Sequence, residues 1–399
     1  MKILVICQYY GPEPVRIVDT CEELVKCGHE VQVVCQVPNY PEGIFYPGYS
    51  NSCRRDEMMN GVRVHRVRTW ARRTGAIHRV LNYYSYSIAA TRFVNSGKCL
   101  ATDGNPFDVV LVNQLSPVMM AEPAIAYKKK YGARVVMYCM DLWPQSLIAG
   151  GIKRGSLPYR YYHRVSNRIY RSMDKILVTS RMFIDYLQEQ FSIPSNKLEY
   201  LPQYAEAQFN DIPPKEPSPD GSLHVMFAGN IGAMQSVDTI LKAAEILKNE
   251  NIFWHIVGSG SELENMKNFA REHNLEKVIF YGRRPLEEMP KFYAMADAML
   301  VTLKADPVIS LTLPGKVQTY MAAGKTIIGA IDGEAPRIID EARCGLCGSA
   351  SDFSELADNV KQVRVSARNF QQNARTFYER TFSKHNYFSV LIKNISEEK

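Results

Sequence analysis

The sequence has no apolar run that approaches the ~20 residues of a membrane-spanning helix. It also lacks low-complexity tracts and internal repeats, and 46% apolar with 22% charged residues is an ordinary composition for a soluble globular protein. Residues 1–7 are too short for a signal peptide and show no cleavage-site pattern, so they predict a first buried strand instead. We therefore expect a cytoplasmic protein.

Cysteines are present, but nothing in their spacing indicates a disulfide framework or a metal site. The nine cysteines are an odd number and are spread through predicted strands and helices. Cys344 and Cys347 form a lone CxxC pair, with no second pair at zinc-ribbon spacing. Reduced cysteines that fill the core are the better interpretation.

Signatures of two ligand classes are also missing. No helix-turn-helix, RRM or zinc-finger pattern accompanies the basic charge, so we do not expect nucleic acid as a partner. Gly258 and Gly260 follow a predicted strand, but Leu263 occupies the third glycine position of a dinucleotide fingerprint. The sequence therefore argues against a dinucleotide cofactor.

Positive charge is present and unevenly distributed. The net charge is +7, and residues 54–92 contain only two acidic residues beside Arg54, Arg55, Arg63, Arg66, Arg68, Arg72, Arg73, Arg79 and Arg92. A second basic cluster, without any acid, lies at 153–171. Aromatic and apolar residues between 70 and 86 alternate with the arginines, a combination that suits a lipid headgroup layer. This predicts contact of region 54–92 with a membrane surface; the alternative is a solvated basic face over a buried aromatic core.

The length of 399 residues favours two domains. Continuous Val, Ile and Leu runs are typical of strands buried on both faces of a parallel sheet. Their alternation with helical patterns predicts two doubly wound α/β domains. The predicted strands are 3–7, 31–35, 62–67, 109–112, 135–139 and 176–178, then 225–228, 253–257, 278–281, 299–301 and 327–329. Four prolines in residues 211–221 predict the linker, which leaves 1–210 as the first domain and 222–372 as the second.

The most informative segment is residues 313–325. Pro314 and Gly315 suit the start of a helix, and Gly324 suits the left-handed residue that ends one. Lys316 then lies in the first turn, where a cation opposes the helix dipole by ~0.3–1 kcal/mol. An anion would remove the conflict, because N–H groups, dipole and ammonium would converge on it. We therefore predict a phosphate site at Lys316; the alternative is a lysine that simply extends into water.

A second anion-binding element is expected at residues 229–232, Gly-Asn-Ile-Gly. This turn follows a predicted strand and precedes a helix that begins near Ser236. Glycines in such a turn let backbone N–H groups approach an anion closely. Together with Lys316, the turn predicts a two-sided clamp on a diphosphate through Gly229, Asn230 and Gly232.

Residues 313–325 resemble the donor-binding helix of retaining family 4 glycosyltransferases, in the branch that assembles bacterial O-antigen and capsule and includes L-fucosamine transferases. Further similarities lie at 8–13, 28–31, 38–43, 61–64, 141–144 and 229–232. Each is weak alone, but their order and spacing are specific and extend over nearly the whole chain. The resemblance implies the GT-B fold, in which two Rossmann-like domains face a cleft and a C-terminal helix, here 373–399, returns to the first domain.

The resemblance also implies the chemistry. The second domain would bind a UDP-sugar and the first a lipid-diphosphate-linked saccharide at the inner membrane surface, with no metal or other cofactor. The expected sugar is an N-acetylated amino or 6-deoxyamino sugar, transferred with retention of configuration. Catalytic roles fall to Asp141 and Lys316. Donor contacts are expected from Gly229, Asn230, Gly232, Arg283, Arg284, Pro314, Gly315, Lys316 and Glu334, and acceptor contacts from Tyr10, Gly11, Asp141 and Trp143.

The chain departs from the family pattern in the donor site. Asn230 stands where an arginine is usual, and Gln235 stands where a lysine is usual. Leu311 and Thr319 occupy the positions of two glutamates, so more of the binding would depend on Lys316. Two alternatives therefore stay open: a non-hydrolysing UDP-sugar epimerase on the same architecture, and a catalytically silent subunit of a polysaccharide assembly complex. A glycosidase is not predicted, because no pair of carboxylates is suitably placed.

Overall fold

The protein folds into two α/β units. The computed structural model describes residues 1–397, apart from the side chains of 149 and 364–368. One unit comprises Met1–Leu201 and the chain from Val390 onward, and the other comprises Pro202–Ser389. Each unit has its own sheet.

The first unit is built on an eight-stranded sheet with the order β3-β4-β2-β1-β5-β6-β7-β8. Its strands are β1 Lys2–Ile6, β2 Glu30–Gln36, β3 Asp56–Met59, β4 Val62–Val67, β5 Val109–Gln114, β6 Arg134–Cys139, β7 Lys175–Val178 and β8 Leu198–Tyr200. Its helices are α1 Ile17–Lys26, α2 Ala76–Asn95, α3 Glu122–Tyr131, α4 Gln145–Ala149, α5 Leu157–Ser172 and α6 Arg181–Phe191. All pairs are parallel except β3–β4, which is antiparallel. The central strands β1 and β5 are almost wholly buried, as continuous apolar runs predict.

The second unit is built on a six-stranded parallel sheet with the order β11-β10-β9-β12-β13-β14. This is the strand order 3-2-1-4-5-6 of a Rossmann domain. Successive strands are added on one side of β9 up to β11 and on its other side from β12 onward, so the order changes sides between β9 and β12. The strands are β9 Leu223–Ala228, β10 Ile252–Val257, β11 Val278–Gly282, β12 Ala298–Thr302, β13 Thr326–Ala330 and β14 Gly345–Gly348. The helices are α7 Val237–Ile246, α8 Leu263–Glu272, α9 Met289–Met295, α10 Gly315–Ala322, α11 Glu334–Ala342, α12 Phe353–Thr381 and α13 Lys384–Ser396. Ligands of such sheets bind at the carboxyl ends of the strands.

Every strand predicted from apolar runs is present, and three further strands were missed. β3 has the sequence Asp-Glu-Met-Met and alternates between exposed and half-buried residues at the sheet edge. β8 has three residues, and β14 reads Gly-Leu-Cys-Gly. None of these segments has a strand-like composition of its own, so their conformation depends on pairing with a neighbour.

The unit boundary differs from the predicted one. It falls between Leu201 and Pro202, before the proline-rich segment 211–221. Phe209 and Ile212 are buried within the second unit, and the Lys215 ammonium pairs with Asp297 at 3.2 Å. The segment therefore packs on the second unit instead of linking two domains freely.

The C-terminal boundary differs as well, because α12 groups with the second unit to its end. Only the part of α13 from Val390 groups with the first unit, where Arg134 pairs with Glu397 at 3.0 Å. The predicted helix 373–399 is thus two helices, and residues 398–399 lie outside the described range. Within residues 1–397, no helix is both long and apolar enough to span a bilayer.

Candidate functional site

A pocket of about 550 Å³ opens in the second unit at the carboxyl ends of β9 and β10, beside α10. Its volume lies in the range of small-molecule sites. The pocket brings together five of the predicted donor residues, Gly229, Asn230, Arg283, Arg284 and Lys316. It is also lined by Glu206, Phe209, Ala228, Val257, Gly258, Ser259, Leu286, Met289, Tyr293 and Thr319.

Lys316 lies in the first turn of α10, as predicted. Part of its stem is exposed, but its Nζ is buried and hydrogen-bonds to no group among the described residues. The ammonium lies over the Phe227 ring, 4.1 Å from the centroid. Burial lowers the pKa of Lys316 to about 8. A buried ammonium without a carboxylate or carbonyl partner is an incomplete site, and an anion in the pocket would complete it.

The helix that carries Lys316 is fixed to the end of β9. The Tyr320 hydroxyl donates to the Ala228 carbonyl at 3.2 Å and accepts from the Ala228 N–H at 3.3 Å. The Tyr293 ring packs edge-on against Tyr320, with centroids 5.5 Å apart. Pro314 precedes the helix in an extended conformation, and Gly324 adopts φ +60° after it, both as predicted. These contacts fix the position of Lys316 relative to the carboxyl end of β9.

The turn at 229–232 supports the site differently from the prediction. The Gly229 N–H donates to the Val257 carbonyl, and the Ile231 N–H donates to the Ser259 carbonyl, both at 2.9 Å. These two N–H groups are therefore used within the protein and do not cradle an anion. Gly229 has a different role, because a Cβ there would stand 3.2 Å from Lys316 Nζ.

Gly258 and Gly260, the two glycines of the incomplete dinucleotide fingerprint, serve to pack two loops together. A Cβ at Gly258 would lie 1.8 Å from the Gly229 carbonyl oxygen, and one at Gly260 would lie 2.3 Å from the Ile231 carbonyl oxygen. Only glycine permits this approach, so the loop after β10 holds the turn after β9 in place.

The two positions that lack the family's basic residues bond to each other. The Asn230 amide donates to Gln235 Oε1 at 2.9 Å. Thr319, at the position of one family glutamate, lines the pocket and bonds the Gly315 carbonyl at 3.1 Å. At these positions neutral side chains stand in place of the family's charged ones, and their hydrogen bonds are made within the protein.

Arg283 and Arg284 bring further positive charge to the pocket. Both are exposed and follow β11. The Arg284 side chain is fixed by the backbone of β11, because its Nε donates to the Tyr281 carbonyl at 3.1 Å. No such contact holds the Arg283 side chain within residues 1–397, so Arg283 is the more available cation.

The other predicted donor residues lie apart from this pocket. Gly315 is exposed at the start of α10 with nothing within 4 Å of a Cβ position. Glu334 is buried in the first turn of α11, and Gly333 beside it packs against the Ser310 carbonyl. Glu334 therefore lies near the end of β13, and its contact with a sugar stays a prediction.

Ten of the fifteen pocket residues were not predicted as site residues, among them Glu206, Phe209, Leu286, Met289 and Tyr293. Glu206 and Phe209 had been assigned to the first domain, since nothing local shows that the chain before the prolines belongs to the second. The Phe209 ring stacks on Tyr293 with centroids 4.9 Å apart, a contact between distant segments.

Two family models match the chain and together cover most of it. Residues 14–203 match the glycosyl transferase 4-like domain, and residues 208–377 match the glycosyl transferases group 1. The chain is a GT-B glycosyltransferase. In the second unit the matched region includes the Lys316 pocket.

Named relatives agree with this family. The chain is 27% identical to a glycosyltransferase of Pseudomonas aeruginosa named WbjE, over 72% of each chain. It is 22% identical to an Escherichia coli K12 protein named as a colanic acid biosynthesis glycosyl transferase, WcaI, over 99% of this chain and 100% of the other. Among solved structures, Anabaena HepE in complex with UDP and glucose superposes with a TM-score of 0.66 at 13% identity, over the full length of both chains.

In the first unit of this glycosyltransferase, Asp141 follows β6 as expected. Its carboxylate accepts a hydrogen bond from the Ser146 hydroxyl, and burial raises its pKa. This contact makes Asp141 the anchor of the loop that leads into α4, which is the loop-capping role expected of an Asp before such a turn. Its contact with the acceptor stays a prediction.

The other predicted acceptor residues, Tyr10, Gly11 and Trp143, lie inside the first unit. The Tyr10 ring is 1% exposed, and Trp143 is 3% exposed with its indole N–H donating to Ser116 at 2.9 Å. The Gly11 carbonyl accepts from the Arg66 guanidinium at 2.6 Å. These groups are engaged within the unit and shape the loops at this edge, and their contact with an acceptor stays a prediction.

Glu13 was missed and organises the same edge. Its carboxylate accepts from the N–H groups of Asn39 at 2.8 Å, Tyr40 at 2.7 Å and Tyr10 at 3.1 Å. Burial raises the pKa of Glu13 to about 7, although these N–H donors oppose the shift. One carboxylate thus ties the loop after β1 to the loop after β2.

The arginine-rich region 54–92 divides into two parts. The arginines of β4 serve the fold: Arg66 is fully buried and pairs with Glu57 at 2.5 Å, and Arg63 donates to the Leu100 carbonyl at 2.5 Å. The expected basic surface therefore cannot extend over the whole region. Beyond β4, apolar side chains are exposed instead: Trp70, Ile77, Val80, Leu81 and Ile88.

Proposed function

We propose that this glycosyltransferase moves a sugar from a UDP-sugar to a lipid-diphosphate-linked saccharide during surface polysaccharide biosynthesis, with retention of anomeric configuration. The observation that carries the proposal is the buried Lys316 ammonium, which faces a pocket and lacks a partner among the described residues. The diphosphate of a nucleotide sugar supplies the missing anion.

Uridine diphosphate is the proposed nucleotide. HepE, which superposes over its whole length, is described in complex with UDP and glucose. The pocket volume of about 550 Å³ accommodates a nucleoside beside the diphosphate. Val257, Leu286 and Met289 provide an apolar wall for the base, and Arg283 adds positive charge for the phosphates. The proposed sugar is an N-acetylated amino or 6-deoxyamino sugar.

In the proposed reaction, the acceptor hydroxyl oxygen forms the new bond to the anomeric carbon while the bond from that carbon to the diphosphate oxygen breaks. The acceptor proton passes to the departing diphosphate on the same face of the sugar, so no protein carboxylate is needed as base. Lys316 stabilises the negative charge that grows on the diphosphate, in a site shielded from water. We propose that the reaction needs no metal and no other cofactor.

The biosynthetic context is proposed from the relatives. WcaI is named for colanic acid biosynthesis, and this chain aligns with its entire length. Surface polysaccharides are assembled on lipid carriers, which is why we propose a lipid-linked acceptor. The proposal places the enzyme in the cytoplasm, peripherally at the inner membrane.

A surface of α2 and α5 is the proposed membrane contact. Ile77 on α2 and Leu157 on α5 are 76% and 80% exposed. The Tyr84 and Tyr161 hydroxyls lie 3.4 Å apart, so the two helices share this face. No acidic residue occurs in 58–102 or in 142–173. Apolar side chains among uncompensated arginines suit an anionic lipid surface, where each cation contributes about 1 kcal/mol.

The first experiment is a thermal-shift comparison of UDP, GDP and NAD with wild type, Lys316→Met and Lys304→Met. Lys304 is an exposed lysine of the same unit, so its variant controls for loss of one charge. UDP at 100 times its Kd stabilises wild type by about 2.7 kcal/mol. We expect UDP to stabilise wild type and Lys304→Met by this amount and to leave Lys316→Met unchanged. No stabilisation of wild type by UDP would rule out the proposed donor site.

Turnover then separates the enzyme classes. With UDP-sugars and membrane extract, we expect release of UDP that depends on the extract and is unchanged by EDTA. Conversion of a UDP-sugar without an acceptor would indicate the epimerase instead. UDP binding without turnover of any kind would favour the silent subunit.

A further inference from the structure

Arg72 is a half-buried cation that no carboxylate neutralises. Within residues 1–397 no acidic side chain lies at ion-pair distance from it, and its Nε is buried without a hydrogen-bond partner. Glu13, in the loop after β1, accepts hydrogen bonds from three backbone N–H groups and forms no ion pair with Arg72 among the described residues. Arg72 therefore differs from Arg63 and Arg66, which pair with acidic residues in the sheet.

Three tyrosines surround the guanidinium. Its central carbon lies 5.4 Å from the centroid of the Tyr40 ring, and Tyr40 in turn packs on Tyr9 with centroids 5.0 Å apart. Tyr83, on α2, is the third tyrosine near the guanidinium. Aromatic rings beside a cation hold it in place without cancelling its charge, so the guanidinium keeps its charge for an anionic ligand.

The backbone at Arg72 is fixed. Its N–H donates to Asn39 Oδ1 at 2.7 Å, and Asn39 is fully buried. Its carbonyl packs against Gly43, where a Cβ would stand 2.3 Å from the oxygen and where φ is +70°. Because Glu13 holds Asn39 and Tyr40 in turn, the guanidinium is presented by a rigid loop and not by a mobile one.

The position of Arg72 is that of a ligand site. The loops after β1, β2 and β4 meet here, at the carboxyl ends of parallel strands, where open α/β sheets bind their ligands. Ile77 and Leu81, the exposed apolar residues of α2, follow directly in the chain. An arginine at a sheet edge, next to an apolar surface, fits a molecule that joins a phosphate to a lipid.

We propose that Arg72, with Tyr9, Tyr40 and Tyr83, binds the diphosphate of the acceptor's lipid carrier. The guanidinium binds phosphate oxygens with its planar fork, and the lipid chain leaves along Ile77 and Leu81. The half-buried rings of Tyr40 and Tyr83 flank the first sugar, and the buried Tyr9 supports Tyr40 from behind. This proposal rests on the proposed function, since it identifies the acceptor's anionic group. It assigns Arg72 to substrate binding and not to general attraction of the membrane.

Vesicle binding of the purified full chain tests it without turnover. One set of phosphatidylcholine vesicles carries a minor fraction of a polyprenyl diphosphate, and a second set carries the same negative charge as phosphatidylglycerol. The variants are Arg72→Gln and the matched control Arg73→Gln, which removes one charge from the exposed neighbouring position. Arg72→Lys keeps the charge without the fork.

We expect wild type and Arg73→Gln to prefer the polyprenyl diphosphate vesicles, and Arg72→Gln to lose about tenfold in affinity for those vesicles alone. Equal losses for Arg72→Gln and Arg73→Gln on both vesicle sets would overturn the proposal, because Arg72 would then be ordinary surface charge. If Arg72→Gln unfolds at a lower temperature than wild type, Arg72→Lys is measured in its place. A preference of Arg72→Lys for the polyprenyl diphosphate vesicles equal to that of wild type would overturn the proposal, and loss of that preference would support it. UDP binding is measured in parallel and stays unchanged, so a failed donor site is recognised separately.

Discussion

The Lys316 ammonium rests on the Phe227 ring, 4.1 Å from its centroid, and not on an acidic residue. A ring face stabilises a cation by roughly 0.5–2 kcal/mol and leaves its three N–H donors uncommitted. A carboxylate partner would have held the lysine more firmly, but an incoming diphosphate would then have to displace it. The aromatic support therefore keeps a charged donor available to a ligand of the pocket.

Gly229→Ala should disable this arrangement. The added Cβ would stand 3.2 Å from Lys316 Nζ at a residue with φ +149°, so both the lysine and the backbone must shift. We expect a loss of about tenfold or more in UDP affinity by calorimetry, with about 1–2 kcal/mol lost in stability. Gly221→Ala is the control, because φ is +67° there with nothing within 4 Å of the Cβ. Equal UDP affinity in wild type and Gly229→Ala would contradict the prediction.

UDP affinity should fall as pH rises through about 8. Burial lowers the pKa of Lys316 to about 8, so the ammonium loses its proton above that pH. A bound diphosphate favours the charged form and raises this pKa, so binding takes up a proton at pH 8 to 9. Calorimetry in buffers of different ionisation enthalpy measures that uptake. Proton uptake that persists in Lys316→Met would assign it to another group.

Tyr320→Phe should loosen α10 from β9. The lost hydroxyl bonds both the carbonyl and the N–H of Ala228 in a buried place. We expect about 1–3 kcal/mol of lost stability in urea unfolding and weaker UDP binding, because Lys316 depends on the position of α10. Tyr281→Phe is a comparison within the same unit and should leave UDP affinity unchanged. Intact UDP affinity in a destabilised Tyr320→Phe would show that the helix keeps its place without this bond.

Acid should destabilise the second unit through a buried histidine pair. Tyr281 bonds His255 Nδ1 at 2.8 Å, and His255 Nε2 bonds His224 Nδ1 at 2.9 Å. Burial lowers the pKa of His255 to about 4. In mild acid, His255 therefore binds a proton in the unfolded chain and stays neutral in the folded one. Stability is then fully present above about pH 6.5 and is lost progressively toward pH 4, by on the order of 1–3 kcal/mol. The check is the free energy of unfolding of wild type and His255→Gln at pH 7 and pH 4.5. An equal loss of stability between the two pH values in both proteins would refute the prediction.

The sequence predicted those features that depend on local pattern. The strands of both sheets and the start and end of α10 follow from apolar runs, Pro314 and Gly324, which act on their own neighbours. Lys316 was found because a lysine in the first turn conflicts with the helix dipole unless an anion is present.

The rest depends on contacts between distant residues. Arg66 and Arg72 look alike in sequence, yet one is neutralised by Glu57 in the hairpin and the other is ringed by tyrosines from three segments. Tyr10 reads as a loop residue and is buried. Phe209 belongs to the donor pocket only because the chain before the prolines packs on the second unit.

The bond between Asn230 and Gln235 has a consequence for the speed of the catalytic cycle. In the proposed reaction, transfer leaves a UDP whose negative charge exceeds that of the UDP-sugar. Additional cations at these two positions would grip this product more tightly than the substrate and delay its departure. Two amides that satisfy each other exert no such preference, so we expect the spent nucleotide to leave quickly and product inhibition to be weak.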